Sequence, residues 1–109
     1  MVCITAITIY EVNIGLDRTK RKKSEKRYNE LKKKWLDFIS GMEILSIKAK
    51  DAENASKIFD DLETKGKIIE DNDILIAGVF LSNGISKILT RNSEHFEFID
   101  RMTTIEYEF

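Results

Sequence analysis

Eight consecutive residues, Ile74 to Leu81 (ILIAGVFL), carry no polar side chain and show no clean period. An element of this kind has no face to offer to water, so the chain must fold other elements around it. Asn83-Gly84 supplies a stop on its C-terminal side, and a helix over Asn72 to Ser82 is expected. Its entrance is the oddity, because Glu70, Asp71, Asn72 and Asp73 stand directly before the apolar run. Negative side chains suit the positive end of a helix dipole, which accounts for some of these acids and leaves the number unexplained.

Coverage for this element can be read on either side of it. Ser24 is placed to cap a helix reaching about Ser40, with Tyr28, Leu31, Trp35, Phe38 and Ile39 on one face, and Gly41 ends it. Met42 to Lys48 is short and rich in branched residues, as strands are. Asp51 is expected to cap a second amphipathic helix, with a stripe of Ala52, Ala55, Ile58, Phe59 and Leu62, stopping near Gly66. Ile85 to Thr90 reads as a strand, Glu94 to Ile99 as a short helix, and Thr103 to Glu108 as a final strand. The first sixteen residues remain open: their β-branched content favours strand, whereas Ile7, Tyr10 and Ile14 fit a helical face that Thr5 can cap. Helices interleaved with short apolar strands give an α/β sandwich with a mainly parallel sheet. Ligands gather at the carboxyl ends of such strands and at adjoining helix starts.

At 109 residues, with 42% apolar side chains, six Phe, three Tyr and one Trp, the chain can bury a core and is expected to be one domain over 1–109. One Cys and one His cannot make a disulfide or a structural zinc site, so a reducing cytoplasm fits best. No stretch is long and apolar enough for a membrane span, and no signal-peptide pattern opens the chain.

Charge is unevenly spread. Arg18, Lys20, Arg21, Lys22, Lys23, Lys26, Arg27, Lys32, Lys33 and Lys34 face only Glu25 and Glu30, a local +8 in a chain of net −1, so the remainder carries −9. This is either a solvated helix face or a surface that holds a polyanion.

Three stretches then fall into a known order. ITAITIYEVNIG, DNDILIAGVF and ILTRNSEHFEFI together resemble the PIN-domain family, in particular its small VapC-type toxin ribonucleases, over almost the whole chain. In that family a helix after a short strand carries a Glu, an apolar helix starts with an Asp, and a strand ends in a Thr, Asn or Asp sequence followed by an aromatic. The resemblance assigns Glu11 to the first-helix acid, Asp73 to the helix-start acid, Asn92 to the strand-end position, Phe96 to the aromatic and Thr90 to a polar residue lining the site. It implies that Glu11 and Asp73 hold Mg²⁺ or Mn²⁺, hard cations that prefer oxygen ligands. Asn92 would aid catalysis, Asp71 or Asn72 would cap or support, and Arg91 would either steer a phosphate or form a surface salt bridge. Implied partners are an RNA substrate, an antitoxin protein and a second copy in a homodimer, and the fold implied is a PIN-like three-layer sandwich.

The departures are equally specific. PIN domains begin with a strand ending in Asp and then a helical stretch, and the segment starting at Met1 matches the part of the domain beyond these. The chain is therefore expected to be an N-terminally shortened PIN domain whose sheet lacks a central strand and whose flanking strands expose unpaired backbone groups. Compensation would come from pairing with another chain, from closure of the sheet, or from a strand supplied in trans. The missing acid also keeps open a second function, a catalytically silent module acting through antitoxin or self-association. His95 is read as a surface residue beside Phe96, Cys3 as a buried small apolar residue, and Trp35 with Tyr28 and Phe38 as core or interface.

Overall fold

The structure, a computed structural model, describes residues 2–85, 87–90, 96, 99 and 103–106. Its contacts divide the chain into two compact units, Met1–Leu45 and Ser46–Glu108.

The first unit opens with strand β1, Cys3–Thr5, which runs straight into helix α1, Ala6–Lys22. Both readings of the opening residues are thus realised in succession. Thr5 is the hinge between them: its backbone is extended, and its hydroxyl accepts from the Thr8 N–H at 3.1 Å. Helix α2, Glu25–Ile39, starts as expected on Ser24, whose hydroxyl accepts from the Arg27 N–H at 3.0 Å. Strand β2 is only Glu43–Leu45, shorter than the apolar run that suggested it, and pairs parallel to β1 with Cys3 opposite Glu43. Trp35, Leu16 and Ile4 form the buried cluster, with Ile9, Val12, Tyr28, Leu31 and Phe38 packed against it. The α1 face therefore differs from expectation. Ile9, Val12 and Leu16 point to this core, while Tyr10, from the expected stripe, stays exposed. Trp35 and Phe38 stack with ring centroids 6.1 Å apart, so the core role expected for this aromatic group is the one observed.

The second unit is built on helices α3, Ala49–Thr64, and α4, Asp71–Ser82. Asp51 does not cap α3 from outside. It lies in the first turn, and its carboxylate accepts the backbone N–H of Lys48, the N-cap residue, at 2.9 Å. Ala55 and Leu62 carry the buried side of α3; Ala52 and Phe59, expected beside them, are exposed. Both helices end on glycine in the left-handed region. Gly66 has φ +71° and Gly84 φ +72°, and in each case the next residue's N–H returns to a carbonyl five residues back, Lys67 to Leu62 at 2.9 Å and Ile85 to Phe80 at 2.8 Å.

Helix α4 is buried nearly all round, as its sequence demands: Ile74, Ile76, Ala77, Val79 and Phe80 are all in the core. Burying each large apolar side chain is worth roughly 1.5–3 kcal/mol, which makes this helix the main source of stability in its unit. Gly78 lets α3 approach. A Cβ there would stand 2.7 Å from the Asp51 carbonyl oxygen and 2.8 Å from Ala55 Cβ. An Asn54 Nδ2 to Ser82 Oγ hydrogen bond at 2.6 Å ties the far end of the same helix pair. Strands β3, Lys87–Thr90, and β4, Thr103–Glu106, pair parallel with Lys87 opposite Thr103. Phe96 and Ile99 are buried, and the Ile99 N–H donates to the Phe96 carbonyl at 3.1 Å. The helix expected over Glu94 to Ile99 lies largely outside the described residues.

The described strands thus make two parallel pairs, β1 with β2 and β3 with β4. The parallel direction of both pairs agrees with the expected sandwich.

Candidate functional site

The residues singled out by sequence fall on different elements. Glu11 lies one and a half turns into α1, partly buried. Asp73 sits in the first turn of α4 and is only 5% exposed, which separates it from its neighbours, since Asp71 is exposed and Asn72 intermediate. Thr90 is the last residue of β3. Arg91, Asn92 and His95 lie outside the described residues.

The helix start explains why Asp73 is where it is. Backbone N–H groups of Asp73 and Ile74 both return to the Glu70 carbonyl, at 3.1 and 3.2 Å, closing the first turn. Glu70 is the N-cap residue and no side chain makes a capping hydrogen bond there, so neither Asp71 nor Asn72 fills the capping role expected of them. Sequence could not choose among four adjacent polar residues, each able to precede a helix. Register then fixes Asp73 on the inner side: three residues into α4, it shares a face with Ile76, Ala77 and Phe80, all buried. Its carboxylate stands at the positive end of the helix, where a negative charge is favoured.

Other titratable groups are less suggestive. Burial, and then the adjoining Glu43 carboxylate, pushes the Cys3 thiol above the ordinary thiol range, and its S–H donates to Glu43 Oε2 at 3.8 Å. Cys3 is half-buried rather than the fully buried residue expected. A raised thiol is a poor nucleophile at neutral pH, so Cys3 is no catalytic candidate.

The chain's similarity to known proteins decides its family. The family model for the PIN domain matches residues 1–101, a span that runs through both compact units. The chain belongs to the PIN-domain family. Its relatives include Ribonuclease VapC2 of Rickettsia felis, 27% identical over 101 residues, covering 93% of this chain and 70% of that protein. Ribonuclease VapC2 of Haemophilus influenzae is 28% identical over 102 residues, 94% of this chain and 72% of the relative. The crystal structure of VapBC2 from Rickettsia felis bound to a DNA fragment from their promoter superposes with a TM-score of 0.77 at 27% identity, covering 99% of this chain and 76% of that one. VapBC-5 from Mycobacterium tuberculosis, a member of the VapBC family of toxin-antitoxin systems, reaches 0.74 at 18% identity over 97% and 82%, and so supports the fold alone. Among PIN domains, then, the VapC type is the one this chain is similar to.

PIN-domain ribonucleases generally depend on a divalent metal ion. The donors of this PIN domain suit one. Glu11 and Asp73 offer carboxylate oxygen, and a small hard cation is commonly held by one or two carboxylates while keeping several waters. Among the described residues no group of three or more His, Cys, Asp or Glu is placed to hold a metal.

Proposed function

We propose that this PIN domain is an endoribonuclease of toxin–antitoxin type that hydrolyses RNA phosphodiester bonds with Mg²⁺ or Mn²⁺. The match of the PIN-domain model across residues 1–101, with a buried Asp73 at the head of the most apolar helix, carries this reading. In it, Glu11 and Asp73 are the ligating carboxylates and Asn92 positions water or metal. Thr90 lines the site, Arg91 steers a phosphate, and Asp71 supports from the helix start. A divalent ion bound there supplies an activated water and neutralises charge on the phosphate. What the chain itself contributes is orientation: Asp73 sits in the first turn of α4, 5% exposed.

Two relatives named as VapC ribonucleases and the VapBC2 neighbour from Rickettsia felis support an antitoxin as protein partner and RNA as substrate. A homodimer and a cytoplasmic setting complete the proposal. Among the described residues no helix is long and apolar enough to cross a membrane.

A second reading, a silent module working through antitoxin or self-association, is favoured by the lack of a three-carboxylate group among the described residues. Cleavage of a labelled RNA in Mg²⁺ or Mn²⁺ by the wild type and by Asp73→Asn separates the two. Metal-dependent cleavage that falls by about two orders of magnitude or more in the variant is expected, because the metal-oriented water is the nucleophile. Absence of Asp73-dependent cleavage removes the enzyme reading.

A further inference from the structure

Net charge differs in sign between the two units. Met1–Leu45 has ten basic against six acidic side chains, +4, whereas Ser46–Glu108 has eight basic against thirteen acidic, −5. A phosphate chain meeting this protein is therefore attracted by the first unit and repelled by the second. Within the first unit the attraction is concentrated at one place, the turn where α1 hands over to α2.

The turn is tight. Lys23 and Ser24 N–H groups both donate to the Thr19 carbonyl, at 2.8 and 3.2 Å, so the last turn of α1 and the first of α2 are adjacent. Lys20, Arg21, Lys22, Lys23, Lys26 and Arg27 all cluster there and all are exposed. Two of them are paired, Lys20 with Glu25 at 4.0 Å and Arg27 with Glu30 at 3.3 Å. On α2 the positive side continues through Lys33 and Lys34, one heptad beyond Lys26 and Arg27, giving a row about 12 Å long at 1.5 Å per residue. Tyr28 lies on the core-facing side of α2, not in this row, with Lys20 Nζ 5.1 Å and Lys32 Nζ 5.4 Å from its ring centre.

Helix stability does not explain the arrangement. Bases in the last turn of α1 complement its dipole, but Lys26 and Arg27 occupy the first turn of α2, where positive charge is unfavourable. Repulsion among six neighbouring cations adds to that. An anionic partner reverses both effects.

We propose that the α1–α2 turn is a docking surface for the RNA backbone, separate from the carboxylates assigned to cleavage. It rests on the RNA reading above and adds the surface on which the substrate is held. An RNA backbone suits it better than a protein partner, because exposed cations in an extended row match the repeated phosphates of a polyanion.

The test uses full-length Asp73→Asn protein in EDTA, so binding is read without turnover. Anisotropy of a fluorescein-labelled RNA of about 20 nucleotides is measured from about 50 to 300 mM KCl, the range over which phosphate contacts reveal themselves. The Lys22→Glu, Lys23→Glu, Lys26→Glu triple variant is compared with Lys50→Glu, Lys57→Glu on α3 and Lys65→Glu at its C-cap, which together change net charge equally. Loss of three phosphate contacts should lower the salt slope by about 2 and weaken binding at about 100 mM by roughly 30-fold or more, against about 3-fold for the α3 variant. Equal weakening in the two variants, or none in the turn variant, overturns the proposal. So does displacement of the RNA by polyglutamate as readily as by polyphosphate, which would make the turn a protein site, or equal turn-dependent binding of duplex DNA. Turn-dependent binding by a protein whose wild type does not cleave RNA would overturn the ribonuclease reading and leave the docking surface standing.

Discussion

Replacing Gly78 with alanine should destabilise the protein even though alanine is the better helix former. In an exposed helix the exchange gains about 1 kcal/mol. At Gly78 the added Cβ would lie 2.7 Å from the Asp51 carbonyl oxygen, 2.8 Å from Ala55 Cβ and 3.1 Å from Ala55 Cα. Favourable carbon contacts lie near 3.5–4.0 Å, so α3 and α4 must part by about 0.7–1 Å. The obstructing atoms are backbone and a Cβ, neither of which can rotate aside. Overpacking of this kind costs about 1–3 kcal/mol, and separation also loosens Val79, Phe80 and Leu62, so the net loss is about 1–2 kcal/mol. Gly15 provides the control: it is helical, exposed, and its added Cβ would meet nothing within 4 Å. Gly15→Ala should gain about 1 kcal/mol. Thermal melts by far-UV circular dichroism convert these figures to a fall of about 4–15 °C for Gly78→Ala and a rise of about 4–8 °C for Gly15→Ala. An unchanged or raised Tm in Gly78→Ala would show that the α3–α4 approach is not set by the missing side chain.

Other expectations rest on single contacts. Because burial and Glu43 raise the Cys3 thiol, its alkylation by iodoacetamide should be slower than that of a free thiol at about pH 8 and should accelerate only at higher pH. Glu43→Gln should shift that rise downward, and an unchanged profile would remove Glu43 as a cause. Lys26→Glu should stabilise the helical unit by about 1 kcal/mol at low salt, through the α2 dipole and relief of like-charge repulsion, while lowering RNA affinity. A destabilised Lys26→Glu would mean that the lysine serves the fold. Pairing with a second copy should appear in light scattering as a dimer mass at micromolar concentration, and a heat-stable monomer would argue against it.

How far the sequence could be read depended on whether a residue's neighbours left it one role. Ser24 and Thr5 were identifiable as caps because each is a short hydroxyl residue immediately before a periodic segment, and both make the capping bond. Gly66 and Gly84 were identifiable as stops because a left-handed residue is needed there and glycine supplies it most easily. Alternatives defeated the other positions. Ile7, Tyr10 and Ile14 have helical spacing, but α1 carries apolar residues on both faces, and tertiary packing turns Ile9, Val12 and Leu16 to the core. Asp51 and Lys48 compete for the start of α3, and the acid acts from inside the turn because its carboxylate reaches back to the Lys48 N–H. The candidate site was readable in a different way. No periodicity marks Glu11, a carboxylate in a mixed helix face; only the order of three stretches that resemble PIN domains singles it out. Asp73 alone had a physical signature of its own, an acid at the mouth of a helix too apolar to be anywhere but inside.

The helix starts connect these observations. In the second unit α4 follows the dipole, with Asp71 and Asp73, while α3 sets Asp51 beside Lys48 and Lys50. At α2 the rule is broken, with Lys26 and Arg27 following Glu25. A dipole-compatible charge contributes about 0.3–1 kcal/mol and an incompatible one costs about as much, so the two arrangements differ by a sizeable part of a small domain's stability. Acids at a helix start are explained by the fold and need a burial argument, such as that for Asp73, before they say anything about function. Bases at the start of α2 gain nothing from its dipole, and among the described residues only Arg27 of the two has an ion pair, with Glu30. What sets the α1–α2 junction apart is that these bases adjoin those ending α1, and it is this crowding of exposed cations that the proposed docking of an RNA backbone would offset.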